Sequence, residues 1–285
     1  MAPPRSRELT FERSGLTFRA TVEGPAGGVP VVLLHGFPGS RATWERTVAE
    51  LRGSGLTTAA LEQRGYGRGA RPAGVGAYRL PELAADVLAF LDVLGAERCH
   101  LVGHDWGGMV GWYLGATSPG RLASLTVLST PHPRAYAAAM LRSAQSARSI
   151  YALAFQFPAV PEAFLTVAGA RVLRTSLERS GLDRATAQRY AAHLGTPEAM
   201  RAALHWYRAA FRHPADARAV GAIEVPTTYV WSTRDVALGR TAAESTGQHV
   251  TGPYRFVVLD GVSHWIPETR AARTATLIVE TVERA

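Results

Sequence analysis

The stretch Gly103-His104-Asp105-Trp106-Gly107 sets a carboxylate between two glycines. An apolar run, Cys99 to Val102, leads into it, and a helix-like run, Met109 to Leu114, leads out. A strand that turns sharply into a helix needs small residues two before and two after its centre. Such a turn projects the central side chain from the sheet edge as a nucleophile. An ordinary strand–loop–helix turn in a glycine-rich chain would look the same over these five residues. Two later residues narrow the choice. Asp235 follows the apolar run ending Tyr229-Val230-Trp231, and His264 follows the next strand, in Asp260-Gly261-Val262-Ser263-His264. Taken singly, Asp235 reads as a turn cap and His264 as a surface-loop histidine. Together they give the order nucleophile, acid, histidine, each just past a strand, at the edge where open sheets bind ligands.

The elements that must carry these residues are legible in outline. Residues 8–13 and 17–23 alternate around Ser14-Gly15 and predict an antiparallel hairpin. The continuous apolar run Val29 to Leu34 predicts a strand buried on both faces, as does Leu56 to Leu61. Trp44, Val48 and Leu51 share one face of a helix expected over 41–53. An amphipathic helix is expected over 81–94, with Pro81 in its first turn and Gly95 at its end. Leu122 to Leu128 is the next strand. Residues 134–218 hold no convincing strand and read as several helices punctuated by proline and glycine. Strand and helix then alternate again: strands at Pro226 to Trp231 and Tyr254 to Leu259, helices near 240–248 and at about 268–283. This pattern predicts an α/β fold, a mostly parallel sheet with helices on both faces and an inserted all-helical cap. The boundaries expected are 1–131 for the first part of the core, 132–218 for the cap and 219–285 for the second part.

Composition excludes several classes. The chain has 285 residues, 47% hydrophobic and 19% charged, enough for a sizeable core. Its apolar segments are too short or too interrupted to span a bilayer, and residues 1–8 lack the apolar centre of a signal peptide. The one cysteine, Cys99, excludes an internal disulfide framework, fits a reducing cytosol and is expected to pack in the core. The net charge of +8 would suit nucleic acid, but all 31 basic residues are arginine, a sign of GC-rich coding as in actinobacteria. They are also scattered. The densest group, Arg64, Arg68 and Arg71, lies in one glycine-rich loop, so no nucleic-acid partner is expected. No histidine, cysteine or carboxylate cluster has metal-ligand spacing. Oligomeric state is left open, including a homo-oligomer.

With these residues in hand, the sequence resembles the α/β-hydrolase family and, within it, the epoxide hydrolases, over nearly the whole chain. His35-Gly36-Phe37-Pro38 resembles that family's oxyanion motif, in which the bond before the proline is often cis. Gly103 to Gly108 resembles its aspartate elbow. Glu62-Gln63-Arg64-Gly65-Tyr66-Gly67 resembles its D-x-R-G loop, with Glu in place of the usual Asp. Tyr151 to Pro158 and His205-Trp206-Tyr207-Arg208 resemble the two cap segments that carry tyrosines, with departures at Ala154 and Phe157. Either tyrosine alone would read as core packing. The resemblance implies an α/β-hydrolase core with an eight-stranded sheet, a small-molecule epoxide and water as reactants, and no cofactor, metal or membrane. It implies Asp105 as nucleophile, His264 as general base, Asp235 orienting His264, and Tyr151 and Tyr207 as donors to the epoxide oxygen. It further implies the amides of Phe37 and Trp106 as an oxyanion hole, and His35, Pro38, Trp106 and Trp265 near the substrate, Trp265 either packing beside His264 or lining the pocket.

These residue types suit such a reaction. Ring opening is attack at saturated carbon. A serine would leave an ether that water does not readily cleave, whereas a carboxylate leaves a hydrolysable ester. The departing alkoxide needs a proton, and tyrosines with an ordinary pKa of about 10 can give one at neutral pH. A haloalkane dehalogenase would share Asp105 and His264, and Trp106 would be its first halide donor. It needs a second donor, however, and Phe37 has none in its side chain; Trp206 is the remaining candidate. A receptor or a specialised biosynthetic enzyme could reuse the same pocket. His104 is expected to pack, and His132 either to line the pocket or to turn the chain.

Overall fold

In the computed structural model, residues 6–285 are described. Residues 1–5, most of the stretch that lacks a signal peptide's apolar centre, lie outside them. The chain opens with the hairpin β1 (Ser6–Arg13) and β2 (Leu16–Glu23). Its turn residues Ser14 and Gly15 both have positive φ, which matches the twist of paired strands. β3 (Val29–Leu34), α1 (Glu45–Glu50), β4 (Leu56–Leu61), α2 (Leu80–Leu94), β5 (Cys99–His104), α3 (Trp106–Thr117) and β6 (Leu122–Leu128) follow. Seven helices come next: α4 (Pro133–Arg142), α5 (Gln145–Arg148), α6 (Ile150–Ala154), α7 (Val160–Arg179), α8 (Arg184–His193), α9 (Pro197–Arg212) and α10 (Pro214–Arg218). The chain closes with β7 (Thr227–Arg234), α11 (Arg240–Ser245), β8 (Tyr254–Ser263), α12 (Ile266–Thr269) and α13 (Ala271–Val282).

The eight strands form one sheet in the order β1-β2-β4-β3-β5-β6-β7-β8. β1 and β2 are antiparallel, and β3 to β8 run parallel. This is the mostly parallel α/β sheet expected from the strand–helix alternation. Every residue of β5 is buried, because helices cover both faces of a central parallel strand. Cys99 packs there, and burial pushes its thiol up to about 12. One core lies on each face, built around Trp112, Phe90 and Tyr229 on one side and around Trp44, Ile266 and Leu277 on the other. No helix among the described residues is long and apolar enough to cross a membrane.

Several boundaries differ from expectation. The helix expected over 41–53 is a 3-10 turn, Arg41–Trp44, followed by the short α1. The final helix is broken at Arg270, which lies outside helical geometry and separates α12 from α13. β8 continues to Ser263, four residues beyond Leu259, because Ser263 pairs with Arg234 across a register shift in β7. α7 is interrupted at 167–170, where three consecutive residues take positive φ. The helices between β6 and β7 lie against the sheet edge that carries Asp105, and α9 contributes Trp206 and Tyr207 to a cavity shared with that edge.

Candidate active site

Asp105 sits between β5 and α3 with φ 52° and ψ −121°, a strained backbone for a residue with a side chain. The local sequence permits it. A methyl group on Gly103 would overlap the carbonyl of Gly107, and one on Gly107 the carbonyl of Leu34. A side chain at Gly36 would overlap the Asp105 carboxylate itself. The elbow and the His35-Gly36-Phe37-Pro38 loop can therefore close on each other only as glycines. The Phe37 N–H donates to Asp105 Oδ1 at 2.8 Å, and the Phe37–Pro38 bond is cis. The Thr130 hydroxyl donates to the Asp105 backbone carbonyl at 2.6 Å. Burial raises the Asp105 carboxyl above the ordinary carboxylate range, against the opposing pull of His264 and the amides of Trp106 and Phe37.

His264 comes to this carboxylate from the loop after β8. Its Nε2 lies 3.7 Å from Asp105 Oδ2, and its Nδ1 is 2.8 Å from Asp235 Oδ2. The other oxygen of Asp235 accepts the backbone N–H groups of Ala237 and Leu238, at 2.8 and 2.9 Å. Asp235 is thus a turn cap and a histidine partner at once. Burial alone would lower the His264 pKa, but Asp235, and then Asp105, outweigh it and raise the ring to about 9. The three residues singled out by their order after strands therefore meet at one place.

The two tyrosines come from the helical segment. Tyr207, in α9, is buried, with its ring edge-on to Trp106 at 5.0 Å and to Phe37 at 5.5 Å between centroids. Tyr151, in α6, is partly exposed, 6.0 Å from the Tyr207 ring. Both line a cavity of about 590 Å³ together with Asp105 and Trp106. Burial and the nearby Asp105 charge push both hydroxyls above the ordinary tyrosine range, so both keep their protons at neutral pH. The rest of the wall is largely apolar, with Leu80, Met109, Met140 and Leu153.

Three residues expected near the substrate do not reach the cavity wall. His35 is fully buried behind Gly36, donating from Nδ1 to the Gly36 carbonyl and accepting the Gln63 N–H at Nε2. Pro38 is buried beside it. Trp265 packs edge-on against His264 and donates to the Ser180 hydroxyl at 2.9 Å. Packing of the surrounding chain against these three side chains leaves the cavity to Trp106 alone among the four. His132 caps α4 and bonds the Gly221 carbonyl, so it turns the chain. Arg64 is buried in a two-pronged ion pair with Asp86, and Arg71 bonds the carbonyls of Gly65 and Tyr66. Arg64 ties the loop to α2, and Arg71 braces the loop itself.

Gln145, Arg148 and Ser129 carry no mark in the sequence, yet they hold the loops of the site. His104 packs as expected but also donates from Nε2 to the His264 carbonyl, which Ser129 bonds as well. Gln145 spans the Asp235 turn, donating to Ala237 O and accepting from Gly239 N, and Arg148 donates to Asp235 O at 2.7 Å. These partners lie about ninety residues from the turn they hold, and no local pattern marks them. The indole N–H of Trp206 is taken by the Arg64 carbonyl at 2.9 Å.

A model of the alpha/beta hydrolase fold matches residues 29–271. Epoxide hydrolase A of Mycobacterium tuberculosis is 30% identical over 309 residues, covering 96% of this chain and 96% of its own length. Epoxide hydrolase 4 of Homo sapiens is 32% identical over 275 residues, covering 91% of this chain and 74% of its own. The crystal structure of epoxide hydrolase A from Mycobacterium thermoresistibile superposes with a TM-score of 0.83 at 26% identity, over 98% of each chain.

Proposed function

This chain belongs to the α/β-hydrolase fold and, within it, to the epoxide hydrolases, and we propose that it converts an epoxide to a vicinal diol through an ester on Asp105. The observation that carries this reading is the placement of His264 between two carboxylates, with Asp105 facing a tyrosine pair across the cavity.

In the first step Asp105 Oδ2, the oxygen not held by Phe37, attacks a ring carbon. A carbon–oxygen bond forms and the ring carbon–oxygen bond breaks. The departing oxygen takes a proton from Tyr151 or Tyr207, which high pKa values keep protonated until then. Ester formation removes the Asp105 charge. The His264 pKa then falls, because one of the two carboxylates raising it is gone. The imidazolium then gives up its proton, which passes through solvent to the tyrosinate left by ring opening, and the ring becomes a base only after the nucleophile is spent. It takes a proton from water, which attacks the Asp105 carbonyl carbon. The oxyanion develops on Oδ1, facing the Phe37 and Trp106 amides, an arrangement worth about 3–4 kcal/mol per donor in other enzymes. Collapse breaks the ester bond; the departing diol oxygen takes the proton from His264, and the regenerated carboxyl, which keeps one water oxygen, returns its own proton to the ring.

The dehalogenase reading is weakened by Trp206. Its N–H points at the Arg64 carbonyl, so a halide in the cavity would find the Trp106 indole and no second one. The helices from α4 to α10 act as a cap, with boundaries near 132 and 218. Single turnover in heavy-oxygen water tests the scheme. Label should enter the Asp105 carboxylate and be missing from the first diol; label in that diol would mean direct attack by water.

A further inference from the structure

A second hollow, of about 300 Å³, shares no lining residue with the substrate cavity. Its walls come from the end of α7, the end of β7, the end of β8 and the break between α12 and α13. Arg179, Arg234 and Arg270 line it, with the hydroxyl-bearing residues Ser180, Ser263 and Thr269, and no carboxylate is among its lining residues.

All three arginines are exposed, and among the described residues none has a carboxylate within ion-pair distance. Unpaired arginines are unsurprising in a chain of net charge +8. Three converging on one concave site without an acid are a different matter, because like charges repel unless an anion lies between them. Arg179 is partly offset by the carbonyl end of its helix, and Arg270 donates one N–H to Thr269 O. Most of their donors remain free. The Ser263 hydroxyl adds another, since it bonds nothing among the described residues.

We propose that this hollow binds a small soluble phosphate-bearing anion, a phosphomonoester or pyrophosphate. A carboxylate offers two oxygens and one charge. A phosphate group offers three oxygens and up to two charges, which matches several guanidinium forks at once. The concave shape suits a compact ligand better than a polymer, which would track a continuous basic stripe. The location also bears on the proposed chemistry. Arg234 adjoins Asp235, Ser263 adjoins His264, and Arg179 to Gly181 belong to the helical segment. A bound anion therefore bridges that segment to both loops that carry the histidine and its carboxylate.

Titration calorimetry of inorganic pyrophosphate into the full chain, at ionic strength fixed with sodium chloride, tests this. One saturable site is expected, unaffected by saturating diol product. Arg179→Ala with Arg270→Ala should weaken it by about tenfold or more, and the corresponding glutamine pair should show the same loss. Arg142→Ala with Arg212→Ala, exposed arginines that line neither cavity, should leave it unchanged. No saturable binding, a loss in the Arg142/Arg212 pair equal to that in the Arg179/Arg270 pairs, or displacement by diol would overturn the proposal. So would binding to phosphatidic-acid vesicles without binding to pyrophosphate.

Discussion

The Nε2 of His264 stands 3.7 Å from Oδ2 of Asp105, outside hydrogen-bonding range but within the reach of its charge, while Nδ1 is held by Asp235 at 2.8 Å. The proposed nucleophile and the proposed base are thus coupled electrostatically. Asp105→Asn removes one negative charge and should bring the His264 pKa down from about 9. Histidine proton-NMR titration of the resting protein and this variant reads the shift. An unchanged value would mean that ester formation does not switch the base on.

The tyrosines differ in setting, and their variants should differ in size of effect. Tyr207 is buried against Trp106 and Phe37, and Tyr151 is at the more open side. Tyr207→Phe and Tyr151→Phe should each slow alkylation, Tyr207→Phe the more, and the double variant should lose roughly 10²–10⁴-fold. Stopped-flow tryptophan fluorescence can follow the step, because Trp106 lies beside Tyr207. Unimpaired alkylation in the double variant would take both tyrosines out of the mechanism.

Gln145 and Arg148 hold the Asp235 turn and touch neither Asp105 nor the cavity's tyrosines in any hydrogen bond found among the described residues. Gln145→Leu should therefore slow ester hydrolysis by about tenfold while leaving alkylation near its normal rate. Pre-steady-state kinetics would show ester accumulating. An equal loss in both steps would point to general damage to the fold.

Glu268 is buried, and burial pushes its carboxyl up to about 7, against the Tyr190 hydroxyl that donates to Oε1 at 2.6 Å. The folded chain thus holds this proton more tightly than the unfolded chain. The resulting stabilisation is complete below the ordinary carboxyl value of 4.5 and disappears as pH rises through about 7. Glu268→Gln keeps an acceptor for Tyr190 and removes the titration. Its melting temperature, relative to the parent protein, should climb by roughly a few degrees between pH 5 and pH 8. A difference that stays flat with pH would show that Glu268 does not ionise in this range.

What could be seen in the sequence was local. Gly103 and Gly107 mark the elbow because backbone contacts allow nothing larger, and Asp235 and His264 stand just beyond strands whose apolar runs are continuous. The hairpin turn at Ser14-Gly15 was legible from the alternating runs beside it and from a glycine where the backbone takes positive φ. What could not be seen depends on long-range contacts. β8 runs through Asp260 and Gly261, residues that locally favour a turn, because its pairing with β7 resumes at Ser263. His35 and Trp265 lie next to the site in sequence motif but turn their rings into packing, a choice made by Gln63 and Ser180 far along the chain. The grip of Gln145 and Arg148 on the Asp235 turn exists only once the helical segment has folded over the sheet edge.

The central claim is that turnover passes through an ester on Asp105 that His264 is needed to release. Mixing the His264→Gln variant with a styrene-type epoxide and measuring the peptide that contains Asp105 by mass spectrometry tests it most directly. The account predicts that this peptide gains the mass of one epoxide and keeps it, that epoxide consumption stops after one equivalent with no diol released, and that Asp105→Ala gains nothing. Steady diol release by His264→Gln with no mass added to that peptide would contradict it.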